Sequence, residues 1–185
     1  MMPLVAGFEE IEAITIADLL RRSGVEVVVA GIALEPSPDG ALPPITGAHG
    51  LQLVPDTMLG EQSGADFDLV VLPGGMPGSQ HLRDDARVLR LLREAAAAGK
   101  ITAAICAAPM ALAAAGLLQG RRFTCYPGFA ERCGGGVAST DPVVVDGKVI
   151  TANGVGAALP FALELVRQLR GDAVASDLAR GLLLA

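Results

Sequence analysis

The sequence has no tryptophan, a single tyrosine and only two histidines among its 185 residues. So few aromatics leave the core to Ala, Val, Leu and Ile. That composition suits packed sheet and helix better than an aromatic-rich binding surface. Basic residues are also scarce, 14 against 20 acidic ones, for a net charge of −6 at pH 7. Nucleic acid and anionic membrane surfaces both require a basic footprint, so neither is expected as a partner. No apolar run is long enough, and free enough of glycine or charge, to cross a bilayer. The opening MMPLVAGFEEIEA has no basic segment and no apolar core followed by a cleavage site, so no signal peptide is expected. Cysteine occurs three times, at Cys106, Cys125 and Cys133. An odd number fits a reducing cytoplasm better than a disulfide framework. Seven residues separate Cys125 from Cys133, which is no zinc spacing, and His49 and His81 lie far off, so no metal is expected. CGGGV and ANGVG are glycine loops without a dinucleotide fingerprint, and no cofactor is expected.

What is present is an alternation. Met2 to Val5 reads as a stubby first strand. From about Glu9 the pattern turns helical, with Glu12, Ala13, Ile16, Leu19 and Leu20 on one stripe and Asp18 and Arg21 opposite. Gly24 ends that helix, and VEVVVAGI reads as a buried strand. Residues 36–50, rich in proline and glycine, form a loop or extended arm leading into LQLVP. DLVVL is a buried strand running into a glycine turn. Residues 85–99 are helical, with Val88, Leu91, Leu92 and Ala95 inward. ITAAIC is strand, residues 107–115 helix and RRFTC a short strand. VVVDGKVIT is a hairpin turning at Asp146-Gly147. A helix follows from Gly156, and a last short one from Asp172. Apolar strands alternating with helices predict an α/β chain, one flavodoxin-like domain over residues 1–185. Its doubly wound parallel sheet lies between helices and carries a small hairpin.

In such a fold ligands bind beyond the carboxyl ends of the strands. Three features fall there: GFEEIEA, PGGMPGSQ and CAAP. Cys106 sits where strand gives way to helix, the position of a nucleophile elbow. Ala104, Ala107 and Ala108 are small enough for the tight turn, and Pro109 in the first helical turn loses no hydrogen bond. The helix N-terminus is expected to favour the thiolate and lower its pKa. A cysteine in an apolar run is ordinarily an inert core thiol; the position at the joint argues for a reactive one. Cys125 and Cys133 have bland settings. Glu12 lies on the apolar stripe, so its carboxyl is expected to be desolvated, raised in pKa and free to donate a hydrogen bond to the thiolate. The ordinary role of a first-turn glutamate, balancing the helix dipole, suits the outward Glu10 better; Glu9 is ambiguous by angle. Gly74 and Gly75 let backbone amides approach a ligand closely, and with the Ala107 amide they can form an oxyanion hole. A cysteine nucleophile usually works with a histidine, yet neither histidine follows Cys106. Tyr126 is the only polar aromatic near a strand end.

GFEEIEA, VVLPGG, AAICAAP and a closing hairpin plus helix, in this order and at these separations, resemble the ThiJ/PfpI superfamily. The branch is that of the parkinsonism-associated redox protein and its bacterial relatives, and the resemblance covers nearly the whole chain. It implies a flavodoxin-like homodimer with an oxidation-sensitive elbow cysteine, which is Cys106 here. Its glutamate partner is Glu12, and the oxyanion-type amides are those of Gly75 and Ala107. Implied activities are glyoxalase-like or deglycase-like detoxification of methylglyoxal, glyoxal or their early adducts. The alternative is a non-enzymatic redox sensor or holdase of oxidative stress, using the same residues. The chain departs from the family in three places. Ala107 stands where the protease-like branch has histidine, which argues against a peptidase or amidase. Tyr126-Pro127 replaces the His-Pro of many members, which removes the imidazole from any step needing one. The first strand is short for the family, which leaves the completeness of the N-terminus open.

Overall fold

A computed structural model describes residues 1–32, 40–60 and 62–184. In chain order the elements are β1 (Met2–Leu4), α1 (Glu10–Arg22), β2 (Val29–Gly31), β3 (Ile45–Thr46), β4 (Gln52–Leu53), β5 (Thr57–Met58) and β6 (Leu69–Leu72). Then come α2 (Gly78–Asp84), α3 (Ala86–Ala97), β7 (Ile101–Ile105), α4 (Pro109–Ala114), β8 (Arg122–Phe123) and β9 (Val137–Ala138). The hairpin of β10 (Val143–Asp146) and β11 (Val149–Ala152) leads into α5 (Ala158–Arg170) and α6 (Asp172–Gly181).

The strands pair in the order β5-β2-β1 and β6-β7-β11-β10. Two main-chain bonds join the two groups, Val71 N–H to Met1 O at 3.1 Å and the Met1 amine to Leu69 O at 2.9 Å. All strands of this sheet run parallel except β10, which closes one edge as an antiparallel hairpin. Both faces are covered: α1 packs on α5, and α5 on α6, while α2, α3 and α4 contact one another across the other face. Burial on both sides explains why β6 and β7 are buried at every residue and, Thr102 apart, apolar. The stripes match as well: Val88, Leu91, Leu92 and Ala95 of α3 are all buried, as are Ala13, Ile16, Leu19 and Leu20 of α1.

The structure adjusts several boundaries. VEVVVAGI is strand only at its end, Val29–Gly31. LQLVP contributes two residues to a separate small hairpin with Ile45–Thr46. The glycine turn after β6 is followed by a helix, α2, that the sequence pattern had not announced. It opens on glycine and has no side-chain cap, so neither the capping nor the composition cues apply. Of the arm at residues 36–50, residues 36–39 lie outside the described residues. Among the described residues no helix is long and apolar enough to cross a membrane.

Candidate active site

Three loops meet at the carboxyl ends of β1, β6 and β7. β1 feeds the turn before α1. There Glu9 caps the helix, its Oε2 accepting the Glu12 N–H at 2.8 Å, a favourable place for a carboxylate. Glu10 departs from the outward role expected of it. It is 2% exposed, and its carboxylate accepts the His49 and Leu51 amides at 2.7 and 3.3 Å and meets the His49 ring at 2.9 Å. Glu10 therefore clamps the arm onto α1 rather than merely balancing a dipole.

Cys106 follows β7 directly and has φ +64°. That region costs a non-glycine residue about 1–3 kcal/mol, so its surroundings must hold it. Its N–H donates to Ala152 O at 2.9 Å, and its carbonyl accepts the Tyr126 N–H at 2.7 Å. The elbow is thus pinned by β11 on one side and by the segment after β8 on the other. The residue is 9% exposed.

Glu12 is fully buried. Its Oε2 accepts the Gly74 N–H at 2.8 Å. Its Oε1 is buried without a fully formed hydrogen bond, and the Cys106 thiol is the group placed to supply or take one. Burial pushes the Glu12 carboxyl up to about 7; the Gly74 amide opposes the rise, the nearby Glu9 charge adds to it and the Cys106 hydrogen bond opposes it. Burial, then the Glu12 charge, push the Cys106 thiol up to about 12, against the pull of the Gly75 and Ala107 amides aimed at the sulfur. This corrects the expectation of a thiol simply lowered by a helix terminus. α4 is only six residues long, and its field is outweighed by desolvation and by a carboxylate at contact distance. The two groups titrate as a pair. The first proton leaves the Glu12 carboxyl near 7 and the last leaves the Cys106 thiol near 12, so between them an ionised Glu12 faces a protonated thiol.

The glycines are fixed by space. A Cβ on Gly74 would lie 2.5 Å from both Cys106 Cβ and Glu12 Oε2, and one on Gly75, at φ +90°, would lie 2.3 Å from the Glu9 nitrogen. Tyr126 is half exposed, with its ring against Phe129 and beside Gly154; it touches the elbow through its backbone. Cys106, Glu12, Gly74, Gly75 and Ala107 therefore converge, and Tyr126 supports them from the rim. A cleft of about 790 Å³ lies elsewhere, around Met1, Lys100 and Arg170 at the strands' amino ends, and none of the three cysteines lines it.

Such a constellation defines a protein built around one strained cysteine, with a carboxylic acid where cysteine hydrolases keep a histidine. The chain belongs to the DJ-1/PfpI family, which matches residues 1–168. It is 39% identical to protein dj-1beta of Drosophila melanogaster over 184 residues, covering 98% of this chain and 95% of that protein. It is 35% identical to the glutathione-independent glyoxalase DJR-1.2 of Caenorhabditis elegans, covering 96% and 91%. The solved structure of Drosophila DJ-1beta superposes with a TM-score of 0.90 at 38% identity, covering 100% of this chain and 96% of that one. The chain spans 41% and 46% of the longer DJ-1 homologs B and A of Arabidopsis thaliana.

Proposed function

We propose that the protein converts small reactive carbonyls such as methylglyoxal and glyoxal to hydroxy acids, with Cys106 as nucleophile and Glu12 as proton carrier. The observation that carries this reading is the contact between a buried carboxyl and a buried thiol beside two inward amides. A relative 35% identical along nearly its whole length and named a glutathione-independent glyoxalase supports the same class.

With Glu12 ionised, the proton passes from the Cys106 thiol to the neighbouring carboxylate as the sulfur attacks the aldehyde carbon. The C–S bond forms and the C=O pair moves to oxygen, where the Gly75 and Ala107 amides receive the charge. Glu12 returns the proton, completing a hemithioacetal. The carboxylate then removes the C1 proton and redelivers it at C2 through an enediol, giving a 2-hydroxy thioester. Water cleaves the thioester, releasing the hydroxy acid and restoring the thiol. The net reaction adds one water to methylglyoxal to give lactate. Every proton step uses Glu12, so the absence of histidine at residue 126 leaves no gap. Early adducts of the same carbonyls on amines or thiols are hemiaminals and hemithioacetals, which supply Cys106 with the aldehyde carbon only as they revert to the free carbonyl.

More than one lactate per subunit, formed from methylglyoxal without glutathione, tests the reading. Cys106→Ser should abolish it, and Glu12→Gln should slow it by roughly 10²–10⁴. Stoichiometric consumption that stops after one equivalent contradicts turnover. It would favour a second reading, a redox sensor in which Glu12 Oε1, buried without a full hydrogen bond, binds an oxygen of an oxidised Cys106.

The protein works as a homodimer in this proposal. Ile11 and Ile14 of α1, together with Leu51 and Val54 on the arm, are 47–61% exposed, and Glu10 ties the two segments together. An apolar surface of this kind suits a second copy of the chain. The reducing compartment suggested by the cysteines is cytoplasmic.

A further inference from the structure

Cys125 and Cys133, unremarkable in the sequence, are neighbours in space. The chain leaves β8, turns through Phe129 N–H to Tyr126 O at 3.0 Å and Arg132 N–H to Phe129 O at 2.9 Å, and brings Cys133 back against Cys125. The two thiols are free, and each is the other's strongest electrostatic neighbour. Cys133 is 1% exposed, whereas Cys125 is only partly buried. One sulfur can therefore be reached from solvent while the other waits behind it.

We propose that Cys125 and Cys133 form a peroxide-responsive dithiol that closes to a reversible intrachain disulfide. This assignment is independent of the carbonyl chemistry at Cys106. A disulfide needs its sulfurs about 2.0 Å apart and its Cβ atoms about 3.5–4.5 Å apart, an approach that neighbouring thiols make by side-chain rotation and small backbone shifts. Gly134 follows Cys133 directly, and its Cβ position is open, so the backbone has room to give.

The order of events follows from the asymmetry. The neighbouring Cys133 thiol holds the Cys125 thiol below its ordinary value, and Cys125 together with burial pushes Cys133 up. Cys125 thus supplies the thiolate. Its sulfur attacks hydrogen peroxide, the O–O bond breaks, and a sulfenic acid and one water result. Cys133 sulfur then attacks Cys125 sulfur, and the S–O bond breaks. The second water leaves with the Cys133 proton. Two thiols lose two electrons, and one peroxide becomes two waters. The segment that closes is the one whose Tyr126 amide holds the Cys106 carbonyl, so the dithiol borders the elbow without sharing its sulfur.

The sequence permits a direct test, because Arg122, Arg132 and Lys148 place the two cysteines on separate tryptic peptides, 123–132 and 133–148. The Cys106→Ser protein is treated with about one equivalent of hydrogen peroxide, alkylated, and digested without reduction. The expected result is the two peptides joined, from protein still of subunit mass on a non-reducing gel, and separated by dithiothreitol. In Cys133→Ser, dimedone should label Cys125. Should that variant fail to fold, Cys125→Ser, at the more open site, should leave Cys133 reduced after the same treatment. Recovery of both peptides unlinked and alkylated, a link found only between chains, or Cys125 carried to sulfinic acid without a link would overturn the proposal.

Discussion

Gly74 lies so close to Cys106 that a Cβ on the glycine would sit 2.5 Å from the cysteine Cβ. The same glycine donates its N–H to Glu12 Oε2 at 2.8 Å. One residue without a side chain therefore sets the separation of thiol and carboxyl.

Gly74→Ala should disrupt both. The methyl has to displace Cys106, Glu12 or the β6 turn, and overpacking of this kind costs about 1–3 kcal/mol. A misplacement near 1 Å at reacting groups costs about 10² in rate. Denaturant melts and kcat/KM for methylglyoxal should therefore fall together. An alanine variant with undiminished activity would show that the spacing does not matter.

Glu12 should also make stability depend on pH in a direction opposite to most carboxylates. Its pKa is raised from 4.5 to about 7 in the folded protein. The folded state therefore keeps a proton that the unfolded chain has lost. This contribution is fully present below about 4.5 and disappears as pH climbs through 7. The shift corresponds to at most about 3.5 kcal/mol. Glu12→Gln has no such proton, so its stability relative to the parent should improve between pH 4.5 and 7.5. Guanidinium melts at the two pH values measure the difference; an unchanged gap between the two proteins would mean that Glu12 titrates normally.

For the dimer, light scattering at micromolar concentration should give twice the chain mass of 18.8 kDa. Ile11→Glu should shift it toward the single mass, since that side chain is 55% exposed in the isolated subunit and its loss cannot empty the core. A single-chain mass for the unsubstituted protein contradicts the proposal.

Much of this architecture was legible in the sequence because its cues are local. The helical stripes of α1 and α3, the Asp146-Gly147 hairpin and the start of α6 at Asp172 follow from periodicity and turn chemistry. The inward Glu12 was legible for the same reason, as a carboxylate on an apolar stripe. α2 was not legible, because it opens on glycine and carries no capping side chain. Glu10 was misjudged because its partners are 39 and 41 residues away, and helical angle alone cannot reveal an arm folded over that face. The contact of Cys125 with Cys133 depends on a turn and a short 3-10 segment, whose signals in sequence are weak. The rise in the Cys106 pKa was missed because burial and a contacting charge are tertiary facts, whereas the helix terminus could be read locally.

The central claim is that Cys106 and Glu12 share one proton, which Glu12 carries while the sulfur reacts. Ultraviolet thiolate absorbance and iodoacetamide alkylation of Cys106, followed against pH in a Cys125→Ser background, test it most directly. The proton lost as pH passes about 7 is that of the Glu12 carboxyl, so the thiol stays protonated there and thiolate forms only toward about 12. The Glu12 charge helps to hold the thiol up, so Glu12→Leu should move thiolate formation to lower pH. Glu12→Gln, equally uncharged, should move it the same way. Thiolate already abundant near pH 7 in the parent, or forming at higher pH in Glu12→Leu than in its parent, would contradict the account, because Glu12 would then act as a donor to the thiolate rather than as the base that receives its proton.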